Sequence, residues 1–342
     1  MVYQATASAP VNIACIKSVM SRSPSRDRRE RCTLTSAQRQ ILGKRDTNSF
    51  CRQTRRYRLW LNGKEEEIVA PGRLATCIAE LKKLRKELVE DKDASAPKLS
   101  TFPVHIASFN NFPTAAGLAS SASGFAALVS SLAALYALPC SPSTLSLIAR
   151  QGSGSACRSL FGGYVAWEQG VLDDGSDSLA VEVAPRSHWP EMHALICVVS
   201  DDKKGTSSTS GMQRTVQTSE LLQHRIKHVV PKRMKEIEAA IKAKDFDAFA
   251  KVDHRLDCRI QQVAIEKTGK RKAAYTYDAG PNAVIYTLQE NVKEIVELIV
   301  KYFPQKDEFK DPFQLFAGGA SGRGASWRAS TRLLRRSLRS GL

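Results

Sequence analysis

Apolar side chains recur at helical spacing most clearly after residue 120, where Phe125, Leu128, Val129, Leu132, Leu135 and Tyr136 share one face and Pro139 ends the run. A second stripe, Leu74, Cys77, Ile78, Leu81, Leu84 and Leu88, predicts a helix that begins at Arg73 and turns its Lys and Glu residues to solvent. Ser141-Pro142 is an N-cap and first-turn pair for a third helix ending near Arg150. Further helical patterns run over 213–252, interrupted at Pro231, and from Asn291 to Phe303. Strands are predicted from Ala9 to Lys17, at Leu59-Trp60-Leu61 before an Asn62-Gly63 turn, and at His105 to Ser108, where the histidine reads as structural. Others fall at Tyr164 to Trp167, Leu179 to Val183 and Met192 to Val199, and a strand, a Gly-Pro turn and a strand span Tyr275 to Tyr286. Two segments carry no such pattern. Ser21 to Arg31 cannot build a core, and from Gly318 the chain is Gly, Ser, Ala and Arg with a short basic helix at Thr331 to Leu338.

Charge sharpens this division. The net charge of +17 would suit a nucleic acid or an anionic membrane if it were spread over a folded surface. Instead, residues 18–58 carry +9 and residues 319–342 carry +6, so 15 of the 17 charges lie in the segments without periodicity. The balanced remainder is that of an ordinary enzyme, and no nucleic-acid or membrane partner is expected. The length of 342 residues and a 42% hydrophobic content allow two domains. The N-terminus lacks a signal pattern, and the apolar run Phe125 to Leu138 is too short to span a bilayer, so a cytoplasmic protein is expected. The eight cysteines include no Cys-x-x-Cys pair, and His224 and His228, one helical turn apart, read as a solvated face.

Two small-residue loops hold the candidate chemistry. The first, Asn110 to Gly124, joins Gly117, Leu118, Ala119, Ser120, Ser121 and Ser123 to the strongest helix. Free amides and partial positive charge at a helix start, with serine hydroxyls beside them, suit phosphate, and Ser121 is a candidate ligand for Mg²⁺. The second runs through Ser153, Gly154, Ser155, Ala156, Cys157 and Arg158, and the arginine fork suits carboxylate or phosphate. Lys17 either enters a pocket or snorkels from a strand end. Asp278 is a lone carboxylate at a bend.

The string Pro113 to Gly124 is similar to the phosphate loop of the GHMP kinase superfamily, and is neither a Walker A nor a dinucleotide motif. Together with Ala9 to Lys17, Trp60 to Gly63, Gly152 to Trp167, His188-Trp189-Pro190, Ser207 to Met212 and Tyr275 to Val284, it resembles the mevalonate diphosphate decarboxylases. The resemblance implies an α+β GHMP kinase fold with a ribosomal-protein-S5-like N-terminal domain, 1–187, and a truncated ferredoxin-like C-terminal domain, 188–305. It implies ATP and Mg²⁺ as cofactors, mevalonate 5-diphosphate as substrate, a homodimer, and a reaction in isoprenoid and sterol biosynthesis that yields isopentenyl diphosphate, ADP, phosphate and CO₂. By the same resemblance Asp278, Arg158 and Lys17 are catalytic. Lys44, Arg73, Ser153 to Arg158 and Thr209 bind substrate, and Gly117 to Ser121 and Ser123 hold ATP.

The departures from the family pattern are abrupt. After Lys17, residues Ser18 to Gln40 are foreign before Ile41 to Thr47 resumes the motif, and a strand expected to line the nucleotide pocket is replaced by Asn48 to Arg58. A segment expected after residue 253 is missing, and 306–342 reads as a disordered basic tail. Segments 18–58, 254–273 and 306–342 therefore read as aberrant, from a retained intron or shifted frames. Two other readings are a GHMP kinase that stops at phosphorylation, and an inactive scaffold whose Arg-rich segments bind RNA or acidic partners.

Overall fold

The computed structural model describes residues 3–16, 33–36, 44–51, 56–110, 120–172, 174–199, 214–253, 269–277 and 282–303, excepting the side chains of 33–36, 44–48, 50, 51 and 253. Three sheets organise these residues. The first has the order β1-β4-β7-β5-β6, formed by Tyr3–Pro10, Lys44–Cys51, Val104–Asn110, Arg58–Leu61 and Lys64–Glu66 respectively. Only β5 and β7 run parallel in it. The second has the order β2-β3-β8-β9, from Ile13–Ala14, Thr33–Ser36, Tyr164–Trp167 and Ala180–Ala184. The third, β10-β12-β11, comprises Met192–Cys197, Ala283–Leu288 and Ala273–Tyr277.

Helices α1 (Arg73–Arg85), α2 (Ser120–Leu135) and α3 (Pro142–Gly152) cover the first sheet. Leu128, Val129, Leu132, Leu135 and Tyr136 of the predicted stripe are buried against Cys77, Ile78 and Leu81 of α1, Leu145 and Ile148 of α3, and Val104 and Ile106 of the sheet. The Ser141 hydroxyl accepts from the Thr144 amide at 3.1 Å, the expected cap of α3. In the C-terminal part, α4 (Glu220–His224), α5 (Val230–Ala243), α6 (Phe246–Asp253) and α7 (Gln289–Tyr302) accompany the third sheet. The helical run does not stop at Pro231: α4 passes through a π-helical turn, Arg225–Val229, directly into α5, and the irregularity expected at Pro231 is this wider turn just before it. One buried cluster takes Ile13, Tyr164 and Ala184 from the N-terminal side together with Trp189, Met192, Ile237, Phe249, Val284 and Tyr286.

Three expectations need correction. The predicted strand Ala9 to Lys17 is two strands, β1 ending at Pro10 and β2 at Ile13–Ala14, separated by Val11 and Asn12. The stretch 18–58, expected to lack structure until Leu59, contains β3 and β4. Neither strand alternates apolar and polar residues, so pattern alone misses them. Pairing from both sides decides: β4 lies between β1 and β7, and its Ser49 meets Ser131 of α2 at 2.7 Å with both side chains fully buried. Finally, α1 widens at its end into a π-helical turn, Lys86–Glu90. The wider turn brings Arg85 and Glu90, five residues apart, onto one buried side, where the amphipathic pattern places charge in solvent.

Candidate active site

The break between β1 and β2 explains why the site forms where it does. Asn12, 2% exposed in an otherwise apolar stretch, turns inward and uses its whole amide. Its Nδ2 donates to the Ser155 carbonyl at 3.0 Å and to the Ser159 hydroxyl at 2.6 Å, and its Oδ1 accepts from Arg158 Nη2 at 3.1 Å. Arg158 is 5% exposed, and its guanidinium lies over the Trp167 ring, 5.8 Å from the centroid. A guanidinium keeps its charge at any accessible pH, so this is a fixed cation held by a neutral amide and an aromatic face. Such a cation suits an anionic group brought to it.

The second loop takes a tighter form than a turn. After α3 the chain passes Ser153 in an extended conformation and winds into a 3₁₀ helix, Gly154–Leu160. This places Ser153 beside the start of α2, with its hydroxyl 3.1 Å from that of Ser121. The two serine strings, 32 residues apart in sequence, thereby meet. Ser121 is exposed at the helix start, and no acidic residue occupies that first turn. Ser123 is fully buried and donates its hydroxyl back to the Ser120 carbonyl at 3.2 Å. Cys157 is buried and directs its thiol to the Gly154 carbonyl; burial outweighs the neighbouring Arg158 and Arg150 and pushes its pKa to about 11. It is therefore protonated and inert near neutrality.

Arg73 reaches the same region from the start of α1. Its Nη1 donates to the Gly152 carbonyl at 3.1 Å, and its guanidinium lies 5.6 Å from the Phe125 ring centroid. Gly152 is required by close approach: a Cβ there would lie 2.1 Å from Phe125 Cδ1. The backbone of Lys44 faces Pro10 across the β1–β4 ladder, two residues from Asn12 in sequence. Lys17, Thr209, Asp278, Gly117, Leu118 and Ala119 lie outside the described residues.

What converges, then, is a set of hydroxyls, a helix start free of acid and two arginines. These groups fit a polyphosphate. Among the described residues no three His, Cys, Asp or Glu side chains gather to hold a metal ion, and an Mg²⁺ carried by phosphate oxygens needs no such cage. No helix among the described residues is long and apolar enough to cross a membrane.

The N-terminal half matches the sequence model of the diphosphomevalonate decarboxylase-like N-terminal domain over residues 9–180. The remainder matches the mevalonate 5-diphosphate decarboxylase C-terminal domain over 194–266 and 258–321. The chain belongs to the diphosphomevalonate decarboxylase family. The family catalyses ATP-dependent decarboxylation in the mevalonate pathway. The diphosphomevalonate decarboxylase of Ganoderma lucidum is 62% identical over 352 residues, covering 94% of this chain and 88% of its own. That of Saccharomyces cerevisiae is 48% identical over 340 residues, covering 88% and 82%.

Among solved structures, a mevalonate 5-diphosphate decarboxylase superposes with a TM-score of 0.82 at 45% identity, over 92% of this chain and 87% of its own. A protein designated MDDEF, in complex with MVAPP, AMPPCP and magnesium, superposes with a TM-score of 0.69 at 27% identity, over 89% and 95%. The C-terminal match reaches residue 321, past the expected start of the basic tail at 306.

Asn12 is the residue that motif reading undervalued. A single amide in the apolar run Ala9 to Ile16 was the available signal, since a buried amide persists only where its donors and acceptor all find partners.

Proposed function

We propose that this chain binds MgATP and mevalonate 5-diphosphate where the α2 start, the 3₁₀ helix and the β1–β2 break come together, and converts the diphosphate to isopentenyl diphosphate, ADP, phosphate and CO₂. The observation that carries this reading is the Asn12–Arg158 pair beside the Ser121–Ser153 contact, which puts a fixed cation and phosphate-type donors at one place. Arg158, held by Asn12 and Trp167, takes an anionic group of mevalonate diphosphate, and Arg73, Ser153, Ser155, Lys44 and Thr209 contribute on the substrate side. The loop Gly117 to Ser121 and the start of α2 hold the ATP phosphates, with Ser121 the protein ligand of Mg²⁺. When bound, the metal neutralises phosphate charge during transfer. By the family resemblance Asp278 orients the tertiary hydroxyl and accepts its proton, and Lys17 contributes a second cation to the reaction.

The order of events follows from the chemistry. Phosphorylation turns a poor leaving group, hydroxide, into a good one, and departure of phosphate leaves electron demand on the tertiary carbon. The bond to the carboxylate then supplies the electron pair of the new double bond as CO₂ leaves. Holding both ends of the substrate in line is the main task of the protein. The proposal includes a division of the chain at 187/188, a homodimer and a cytoplasmic setting, which rest on the family resemblance.

The deciding experiment is steady-state turnover of mevalonate diphosphate by the Asp278→Asn variant. The amide keeps the shape of the side chain and removes its basicity. We expect kcat to fall by about 10²–10⁴-fold with ATP affinity little altered. Equal turnover with Asn at 278 would make that carboxylate structural.

A further inference from the structure

Among the described residues, two side chains of the third sheet bond the backbone of β2, an outermost strand of the second sheet. Strand β2 is an outermost strand, in the order β2-β3-β8-β9, yet Ile13 and Ala14 are only 4% and 7% exposed. Successive carbonyls of an extended strand point to opposite sides, so one of these two faces the free edge and needs a partner from the protein, while the other lies on the β3 side and accepts there as well. The third sheet supplies a hydroxyl to each. Tyr286 Oη donates to the Ile13 carbonyl at 2.9 Å, and Thr276 Oγ1 donates to the Ala14 carbonyl at 3.2 Å.

The register shows that these two hydroxyls form one device. Thr276 stands opposite Val284 and Tyr286 opposite Ala274, so all four side chains lie on one face of the β11–β12 pair. Thr276 is 6% exposed, Val284 2%, and Ala274 and Tyr286 are fully buried. In this otherwise apolar quartet the two hydroxyls are diagonal neighbours, both aimed at β2. An apolar face gains nothing from a hydroxyl unless it finds an acceptor, so the pair is matched to the carbonyls of β2.

The two strands joined in this way lead to the reacting groups. Ala14 precedes Lys17 by three residues, and Thr276 precedes Asp278 by two. Among the described residues no backbone ladder joins the second and third sheets, so hydroxyl bonds at two points fix how the β2 strand registers against β11. We propose that Thr276 and Tyr286 are positioning residues for the reaction, registering the strand that leads to Lys17 against the strand that leads to Asp278. This rests on the assignment of Asp278 made above.

The test is a cycle of Thr276→Val, Asp278→Asn and the double variant, with kcat and KM for both substrates measured on the full chain. Thr276→Val keeps the size and removes the hydroxyl. It is expected to lower kcat about 10- to 100-fold, with KM for ATP changing less than about threefold, because a misplacement of about 1 Å costs on that order. Thr276→Ser should restore most of the loss. In the Asp278→Asn background the same change should cost less than about twofold, since a positioning group has nothing left to position. If Thr276→Val does not fold, Tyr286→Phe in the same cycle reads the other bond.

A merely structural hydroxyl would lower thermal stability and leave kcat per folded molecule intact. That result, or losses that multiply in the double variant, would overturn the proposal. Wild-type turnover by Asp278→Asn alone would instead overturn the assignment of the carboxylate, so the two failures are separable.

Discussion

Gly152 offers the sharpest perturbation of the site, because three contacts meet there without room for one more carbon. A Cβ at 152 would lie 2.1 Å from Phe125 Cδ1 and 2.5 Å from Phe125 Cγ. Cγ is the base of the ring, so spinning the ring about its own axis does not clear it; Phe125 must leave its χ1 rotamer or the helices must part. Alanine would be favoured by helix propensity alone by up to about 1 kcal/mol at this last residue of α3. Overpacking of a filled core costs about 1–3 kcal/mol, and we expect that term to win.

The consequence for function runs through Arg73. Its bond to the Gly152 carbonyl and its seat over Phe125 are both disturbed by the same methyl group. We expect Gly152→Ala to unfold in urea with a loss of about 1–3 kcal/mol, and KM for mevalonate diphosphate to rise about tenfold, equivalent to about 1.4 kcal/mol of binding. Combining it with Phe125→Ala, which removes both Cγ and the ring, should cost less than the sum of the two single changes, while the Arg73 contact with the ring stays lost. A Gly152→Ala variant as stable as the parent, with unchanged KM, would refute this account of why a glycine is there.

Two further outcomes follow from the same contacts. Asn12→Asp places a carboxylate against Arg158 and offsets the cation meant for the substrate, so KM for mevalonate diphosphate should rise roughly 10- to 100-fold, on the scale of one charge-assisted hydrogen bond; an unchanged KM in steady-state assays would count against Arg158 as the anion site. Glu90 gives a pH dependence. Burial opposes its charge, but the Ser100 hydroxyl and amide and the Arg85 guanidinium outweigh this and hold its pKa below the ordinary 4.5. A depressed carboxyl pKa stabilises the fold fully above the ordinary value, and that contribution is lost as pH falls through the folded-state value. Glu90→Gln should therefore cost roughly 1.5–3 kcal/mol at pH 7 and flatten the acid limb of stability measured by urea unfolding across a pH series; an acid limb as steep as the parent's would contradict it.

The sequence by itself determined the helices that carry the core and the chemistry offered at the site. Stripes such as Leu128, Val129, Leu132 and Leu135 are read directly, because a helix buries one face at a fixed period and needs no distant partner to define it. The two serine strings were legible as candidates because small residues and hydroxyls at a helix start leave its amides open to an anion, and the structure brings Ser121 of one to Ser153 of the other.

Strands β3 and β4 were decided only in three dimensions. Their residues do not alternate, and what holds them is pairing with β2 and β8 in one case and β1 and β7 in the other, together with Ser49 against Ser131. The inward turn of Asn12 and the buried Arg85–Glu90 pair belong to the same class. Each is a polar group whose burial is tolerable only because a partner arrives: Arg158 from 146 residues away in one case, a π turn in the other. Periodicity records which side chains avoid water. It does not record which polar groups will find each other, because that depends on distances fixed by the whole packed chain.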